Sequence, residues 1–511
     1  MKKLFTYLFI SVLVAGIWSC NKNDNDDPDP VVPVTVITLE TDVLQITQAG
    51  GKVQIAVSAP ERPEVTSMPE WITKAKTGIY SDYKCSITLT TGKNKTYEER
   101  TGSVTVKSGS QTATFTVKQA GKEVIVIPSL PSNDAVGVAR MLGLGWNMGN
   151  EMEAHNNGDP DETAWTGVPC TQETFNGVAA KGFTSVRIPV TWINLIGEAP
   201  DYTLDADRLA RLEEIVDYAH NAGLYTIFNL HHDGAESQYW LSVKEGADQD
   251  AIKDEITKVW TQLANTFKEC GDWLIFESFN EINDGGWGNS ADYLTEEGKA
   301  RQNNILNDWN QTFVDAVRAT GGNNATRWLG VPGYCADPGF TLNDGFVVPE
   351  DPAGKIMVGV HEYTPYHFCQ TGEVGEWGHT RTVQLDDETY DEDYMTGIFS
   401  KLYNKWVANN VPVYLGEFGC ANRLPGKARE FQIYWFEYMA KAARSFGLSG
   451  FIWDNGSEGD GEEIYGIVHH GTGEYLDPEY GAQMVNALVK GFTSEDEEYT
   501  LDSVYESAPE P

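Results

Sequence analysis

The sequence predicts a small all-β sandwich followed by a large α/β unit, a (β/α)8 barrel. Three observations predict it. Residues 35–122 alternate apolar and polar side chains with a period of two, between glycine turns. From about residue 135, short apolar runs alternate with amphipathic helical stretches. Nearly every one of those runs ends in polar or aromatic residues, as the strands of a barrel do where they open onto an active-site face. The length of 511 residues leaves room for such a division, since a domain takes about 150 residues.

In chain order, Met1-Lys2-Lys3 is a short basic start, followed by the apolar run Leu4 to Ile17 and then Trp18-Ser19-Cys20. Residues 1–19 read as an export signal, too short to be a membrane-spanning helix. Cys20 resembles the acylated cysteine of a bacterial lipobox. The resemblance implies an outer-membrane lipid anchor through Cys20; the alternative is an ordinary signal peptide with an incidental cysteine. Residues 20–34 include the stretch NKNDNDDPDPVVP, which has little apolar surface to bury and reads as a flexible tether. Its acidic residues resemble the surface-export signals of some lipoproteins, which implies an outer-facing location. Six cysteines remain beyond Cys20, without a CxxC pair. They read as small buried apolar residues. A pair such as Cys335–Cys369 could form a disulfide, and the sequence leaves that open.

The β unit, residues 35–122, contains Val53-Gln54-Ile55-Ala56-Val57, Cys85-Ser86-Ile87-Thr88-Leu89 and Thr114-Phe115-Thr116-Val117. The pieces Met68-Pro69-Glu70-Trp71-Ile72, Arg100-Thr101-Gly102-Ser103-Val104 and Val117-Lys118-Gln119-Ala120-Gly121 resemble the BACON domain. That resemblance implies a spacer or a glycan-binding module, and Trp71 lies in a piece that usually serves the core.

The barrel unit is read as residues 135–493. Its runs are Leu142–Trp146, Ser185–Pro189, Tyr225–Leu230, Trp273–Phe279, Arg327–Val331, Ile356–Val360, Pro412–Leu415 and Gly450–Trp453. Helical patterns lie between them at Asp205–Ala222, Ala251–Cys270, Ala300–Ala319 and Ala428–Phe446. Long loops are expected at 232–250, 283–298 and 362–393. Residues 494–511, acidic and Pro-ended, read as a solvated tail.

The run ends carry the chemistry. They are Trp146-Asn147, Val186-Arg187-Ile188-Pro189, Asn229-Leu230-His231-His232, Asn280-Glu281, His361-Glu362-Tyr363, Gly416-Glu417-Phe418-Gly419 and Trp453-Asp454-Asn455. Glu281 and Glu417 stand out, because ends of strands four and seven face each other across a barrel mouth. Two carboxyl groups about 5 Å apart are what hydrolysis of a glycosidic bond with retention requires.

These motifs, in this order, resemble glycoside hydrolase family 5. Gly145-Trp146-Asn147-Met148-Gly149-Asn150 and Glu162-Thr163-Ala164-Trp165 resemble its subfamily 4. The likeness runs from about 140 to 490. It implies a retaining endo-β-1,4-glucanase acting on a plant β-glucan, with xyloglucan favoured. Mixed-linkage β-glucanase, cellulase and β-mannanase are the alternatives with the same catalytic pair. By this resemblance Glu281 is the acid/base and Glu417 the nucleophile. Asn280 binds the sugar 2-OH, and Arg187 and Tyr363 hold Glu417 ionised. His231 and His361 orient the acid and the reacting sugar. His232 and Asn147 line neighbouring subsites, Trp453 forms the floor, and Trp165, a candidate for substrate binding, is a loop residue that could serve as a sugar platform or as packing. Thr166 stands where the subfamily commonly has Gly after the tryptophan. Trp240, Trp287 and Trp377 are loop residues that could serve as sugar platforms or as packing.

Composition narrows the rest. A formal charge of −38, from 37 Lys+Arg against 75 Asp+Glu, argues against nucleic acid and anionic surfaces as partners. No apolar stretch of 18 residues follows residue 20, so no transmembrane helix is expected. No metal or cofactor is expected: there is no HExxH, and His231 and His232 should point to opposite sides of a strand. No GxSxG serine elbow occurs. A non-catalytic glycan-binding lipoprotein is the second function class, and it would have no need to keep both glutamates. The protein is expected to be a monomer.

Overall fold

The computed structural model describes residues 33–96, 98–122, 125–383 and 390–511. The leader, Cys20 and the tether up to residue 32 lie outside the described residues. The chain divides into two compact units, Met1–Val124 and Ile125–Pro511.

The first unit is a β-sandwich. Strands Thr38–Leu39, Gly51–Ser58, Lys84–Thr91 and Ile72–Thr77 form one sheet in that spatial order; Val43–Ile46, Gln111–Gln119, Arg100–Ser108 and Glu64–Ser67 form the other. The period-two reading holds: Ile55 and Val57, Ile87 and Leu89, Val104 and Val106, Phe115 and Val117 are buried between the sheets. Trp71 packs against that core, with the Arg100 guanidinium 4.6 Å from its ring centroid.

The second unit is a closed barrel of eight parallel strands: Leu144–Asn147, Ser185–Ile188, Tyr225–Phe228, Leu274–Glu277, Leu329–Pro332, Ile356–Glu362, Val413–Phe418 and Ser449–Ile452. Each falls on one of the eight predicted runs. Strands one to five and strand eight are four residues long and buried throughout, as barrel strands covered by helices must be. Helices Gln172–Ala180, Ala206–Asn221, Gln249–Thr266, Glu296–Ala319, Glu392–Lys405, Lys427–Ser445 and Pro478–Thr493 provide that cover. Between strands five and six the helix shrinks to Pro338–Thr341. Gln249–Thr266 shows why these segments are helical. Asp248 caps its first turn, and Ile252, Ile256, Val259, Trp260 and Leu263 fall on one buried stripe.

Strands six and seven run further than their apolar runs suggest. They carry His361 and Glu417 inside the sheet. Val360 pairs with Leu415 but His361 pairs with Glu417, so strand seven holds one extra residue at Gly416. That bulge breaks the alternation, and Glu417 is aimed at the mouth instead of following Leu415 into the lower core. Below it, Tyr414 occupies a slot that glycines leave open. A Cβ at Gly330 would lie 2.3 Å from the Tyr414 hydroxyl, and one at Gly359 2.7 Å.

The expected solvated tail is instead folded. Leu501–Tyr505 is a helix with a Thr500–Ser503 capping box. Val504 is buried, and Tyr499 donates to Glu437 at 2.9 Å. Tyr505 stacks on His379 at 3.8 Å, and Pro509 O accepts from Thr380 at 2.7 Å. Leu501 and Val504, three residues apart, give this short helix an apolar stripe that the surrounding acidic residues mask. Val504→Asp is therefore expected to destabilise the second unit by about 2–4 kcal/mol, read as a lowered thermal midpoint; an unchanged midpoint would show the packing to be incidental.

Candidate active site

The C-terminal ends of the barrel strands open into a cleft of about 1010 Å³. At its base lies Arg187, fully buried in strand two. Its Nη1 donates to Glu417 Oε1 at 2.8 Å and to Asn147 Oδ1 at 3.1 Å. Its Nη2 donates to Asn280 Oδ1 at 2.8 Å and its Nε to Glu277 Oε2 at 2.7 Å. Glu417 also accepts from the Tyr363 hydroxyl at 2.9 Å, and His361 Nδ1 stands 3.6 Å from its Oε2. Glu281 sits across from it, with Oε1 2.6 Å from the same His361 nitrogen. Oxygens of the two glutamates and the His361 nitrogen all lie within 4.8 Å of one another.

The two carboxyls differ in acidity. Burial alone would push Glu417 up, but His361, Arg187 and the Tyr363 hydrogen bond outweigh it and hold the group below the usual carboxylate range. Glu281 accepts no hydrogen bond from a guanidinium among the described residues, and Arg187 pulls on it only from a distance. Burial pushes it up, helped by the Glu417 charge, and the pull of His361 does not cancel that rise. One carboxyl is thus shifted toward its ionised form and its neighbour toward its neutral form. The histidines also divide. Burial would lower His361, but Glu417 and Glu281 raise it. Burial drives His231 well below its ordinary value and His232 down to about 4.

Most of the residues expected at the site converge on it. Glu281, Glu417, Asn280, His231, His232, Tyr363, Trp453 and Trp165 line the cleft. His361 lies just behind, bonded to Glu281. Trp453 stacks nearly parallel to His231, with interplanar angle 9° and centroids 6.0 Å apart. Gly149 permits this wall, since a Cβ there would sit 2.9 Å from the Trp453 ring.

Two expectations need correction. Asn147 does not line the cleft. It is fully buried, and its amide donates to Gly416 O at 2.9 Å and Phe451 O at 3.1 Å. Its carbonyl faces Arg187, so it holds the guanidinium and touches no open space. His231 and His232 do not diverge, because strand three ends at Phe228 and alternation lapses before them. The pair that could have been a disulfide is not one: Cys335 and Cys369 are free, as are the other cysteines among the described residues.

The loop tryptophans separate cleanly. Trp165 and Trp287 are 42% and 46% exposed on the cleft walls. Trp377 is buried against Tyr434 and Tyr438, and Trp240 packs inward with its indole N–H on Asp233 at 2.8 Å. The sequence reading passed over His155, Glu236, Tyr239, Tyr366, Gln370, Glu463 and Tyr465, which also line the cleft, as do Asn150 and Asn455 from motifs quoted without a role for either. His155 packs edge-on to His232 and within 5.4 Å of Trp165. Tyr366 and Gln370 lie in the loop expected at 362–393. Glu463 and Tyr465 come from the loop after strand eight, whose only signal is its glycine-rich acidic stretch Gly456-Ser457-Glu458-Gly459-Asp460-Gly461.

The cleft wall is aromatic and polar, with four glutamates and neither lysine nor arginine. Such a wall suits an uncharged, hydroxyl-rich ligand with apolar C–H faces. Among the described residues, the carboxylates grouped closely enough to ligate a metal are already engaged. Arg187, Tyr363 and His361 occupy Glu417 and Glu281 as above. In a second cluster, Glu151, Glu162 and Cys170, Arg211 makes two hydrogen bonds to Glu162, at 2.8 and 2.7 Å.

Behind Trp453 lies a buried ion cluster. His470 Nδ1 is 2.8 Å from Glu151 Oε1, and its Nε2 is 3.4 Å from Asp454 Oδ1. Asp454 also accepts from Trp146 Nε1 at 2.8 Å and from Ile467 N at 3.0 Å. The cluster joins the loop after strand one to the loop after strand eight.

The chain matches the family described as "Cellulase (glycosyl hydrolase family 5)" over residues 147–459, and the BACON family, "Putative binding domain, N-terminal", over 62–120. Endoglucanase A of Paenibacillus barcinonensis is 38% identical over 343 residues, 64% of this chain and 83% of that protein. A solved broad-specificity GH5-4 endoglucanase from Bacteroides salanitronis is 43% identical, with TM-score 0.69, covering 73% of this chain and 99% of its own. A Bacteroides ovatus GH5 xyloglucanase, solved with a XXXG heptasaccharide, is 27% identical, with TM-score 0.61, covering 89% of this chain and 99% of its own.

The ion cluster generates a pH-dependent expectation. Burial alone would lower His470, but Asp454 and Glu151 outweigh it and raise it from 6.5 to about 10. A histidine raised in this way stabilises the fold fully below pH 6.5 and loses that contribution as pH rises through 10. His470→Gln should therefore cost about 3–5 kcal/mol near pH 6, and the gap between the two melting curves should close toward pH 10. A gap independent of pH would contradict the charged state.

Proposed function

Because the chain belongs to glycosyl hydrolase family 5, we propose that it is a retaining endo-β-1,4-glucanase whose favoured substrate is xyloglucan. The observation that carries the mechanism is the pair of unlike carboxyls, oxygens within 4.8 Å, one held ionised and the other pushed toward its neutral form. That spacing leaves no room for a water between carboxylate and sugar, so direct attack is favoured over inversion.

Glu417 is the nucleophile in this reading. Arg187 and Tyr363 each occupy one of its oxygens and aim it at the anomeric carbon. Glu281 gives its proton to the departing glycosidic oxygen as the Glu417–sugar ester forms. Once Glu417 is esterified its charge is gone, the upward push on Glu281 weakens, and Glu281 becomes the base that takes a proton from the incoming water. Asn280, fixed by Arg187, presents its amide to the sugar 2-OH. Trp453 offers its indole face to the C–H face of the same ring. His361 holds Glu281, while neutral His231 and His232 line the adjoining sugar site without adding charge.

The preference for xyloglucan rests on a cleft of about 1010 Å³ with Trp165, Trp287 and Tyr366 exposed on its walls, and on the similarity to the xyloglucanase, which covers 89% of this chain. The greater identity to the broad-specificity enzyme favours a second reading, in which mixed-linkage β-glucan is cut at comparable rates. Purified protein is expected to release reducing ends fastest from xyloglucan, then barley β-glucan, then cellulose, with glucomannan slowest. Hydrolysis of glucomannan alone would overturn the substrate assignment. In the same assay Glu417→Ala should lose on the order of 10⁴-fold or more, and wild-type activity in that variant would sink the mechanism.

The location belongs to the same proposal: lipid attached at Cys20 holds the enzyme on the outer face of the outer membrane. The N-terminal unit then serves as a spacer, since Trp71 is occupied by the core and by Arg100 and offers no open platform. Cys20→Ser is expected to move activity from the membrane fraction of intact cells to the soluble fraction; continued membrane association would refute the anchor.

A further inference from the structure

Glu277 and Tyr414 touch no part of the cleft, and the chemistry above makes no use of them. Both are buried inside the barrel, 1% exposed each. Glu277 Oε2 accepts from Arg187 Nε at 2.7 Å, and Oε1 accepts from the Tyr414 hydroxyl at 2.7 Å. The arrangement is built in. Gly330 and Gly359 leave room for the phenol, and a Cβ at Gly359 would also lie 3.2 Å from Glu277 Oε1. A Cβ at Gly416 would press on His361 at 3.0 Å and on Glu277 at 3.5 Å.

One guanidinium therefore serves two carboxylates, Glu277 through Nε and Glu417 through Nη1. In the buried barrel interior each anion weakens the hold of the cation on the other. An undivided guanidinium would stabilise Glu417 so well as to make it a poor base, and a poor base is a poor nucleophile. Resting on the assignment of Glu417 as nucleophile, we propose that Glu277, backed by Tyr414, is a positioning residue that divides the charge of Arg187 and so sets the acidity range in which Glu417 is both ionised and reactive.

The other groups facing Glu417 leave this role open. Besides Arg187 they are His231 and His232 after strand three, Glu281 after strand four, His361 and Tyr363 from strand six and its loop, and Tyr465 after strand eight. Burial lowers His231 and His232, whereas the carboxylates facing Arg187 and His361 shift those two the other way. Glu277 faces only Arg187 and Tyr414 within hydrogen-bond reach among the described residues.

The test uses 2,4-dinitrophenyl β-cellobioside, whose leaving group departs without a proton, so the acidic limb of kcat/KM reports Glu417. Glu277→Gln keeps the shape and an acceptor for Arg187 Nε but removes the charge. It should move that limb down by about 0.5–1 pH unit. Tyr414→Phe keeps the ring but strips Glu277 of its hydrogen bond, leaving a less shielded anion, and should move the limb up. Limbs at the wild-type pH in both variants overturn the proposal, even where activity falls, since that is what a purely structural role predicts. If Glu277→Gln does not fold, Tyr414→Phe decides alone: an upward shift supports the proposal and an unmoved limb overturns it. Glu417→Ala is the control. Retained activity there takes down the nucleophile assignment and this proposal together, whereas an inactive control with unmoved limbs takes down this proposal only.

Discussion

The barrel is organised around one buried cation. Arg187 bonds to residues of strand one, strand four, the loop after strand four and strand seven at once. Two carboxylates in that interior, without a guanidinium between them, would cost several kcal/mol each. With it, they become the fixed points from which the site is measured. Asn280 and Glu417 are placed by the same side chain, so the amide and the carboxylate at the cleft base share one reference. Asn147, expected on the cleft wall, anchors that reference from below.

The histidines and tyrosines refine what Arg187 sets. Tyr363 and Arg187 take separate oxygens of Glu417, which fixes both its charge and its direction. His361 contacts both glutamates, so the ionisation of one is felt by the other through a shared nitrogen. Around this charged centre the wall turns aromatic and uncharged, apart from its glutamates. The division suits a long neutral polymer that must be gripped by its faces and attacked at one bond.

Much of this was legible in the residues. Strands buried on both faces leave short apolar runs, and all eight were visible. The polar residues closing them, Arg187, Asn280-Glu281, His361 and Glu417 among them, are the ones the structure brings together. What escaped depended on geometry that pattern cannot carry. The bulge at Gly416 is one residue in a strand and shifts Glu417 off its expected alternation. His231 and His232 escape alternation because their strand has already ended. Asn147 looks the same on paper whether it points into a cleft or into a core. The packed C-terminal helix hides two apolar residues in an acidic segment, and the wall after strand eight has glycines and acids where a loop of any purpose would have them.

The glycines around Tyr414 carry a consequence for how such a barrel can change over generations. Gly330, Gly359 and Gly416 all lie outside the left-handed region, so no positive φ demands glycine there. A neighbour demands it. While the phenol is present, even alanine at Gly330 collides with it. The order of permissible change is therefore fixed: the tyrosine must be lost before the first two glycines are free to drift, and a lineage that has filled the slot cannot readily regain it. Gly330 and Gly359, on strands five and six, are thus tied to one side chain on strand seven.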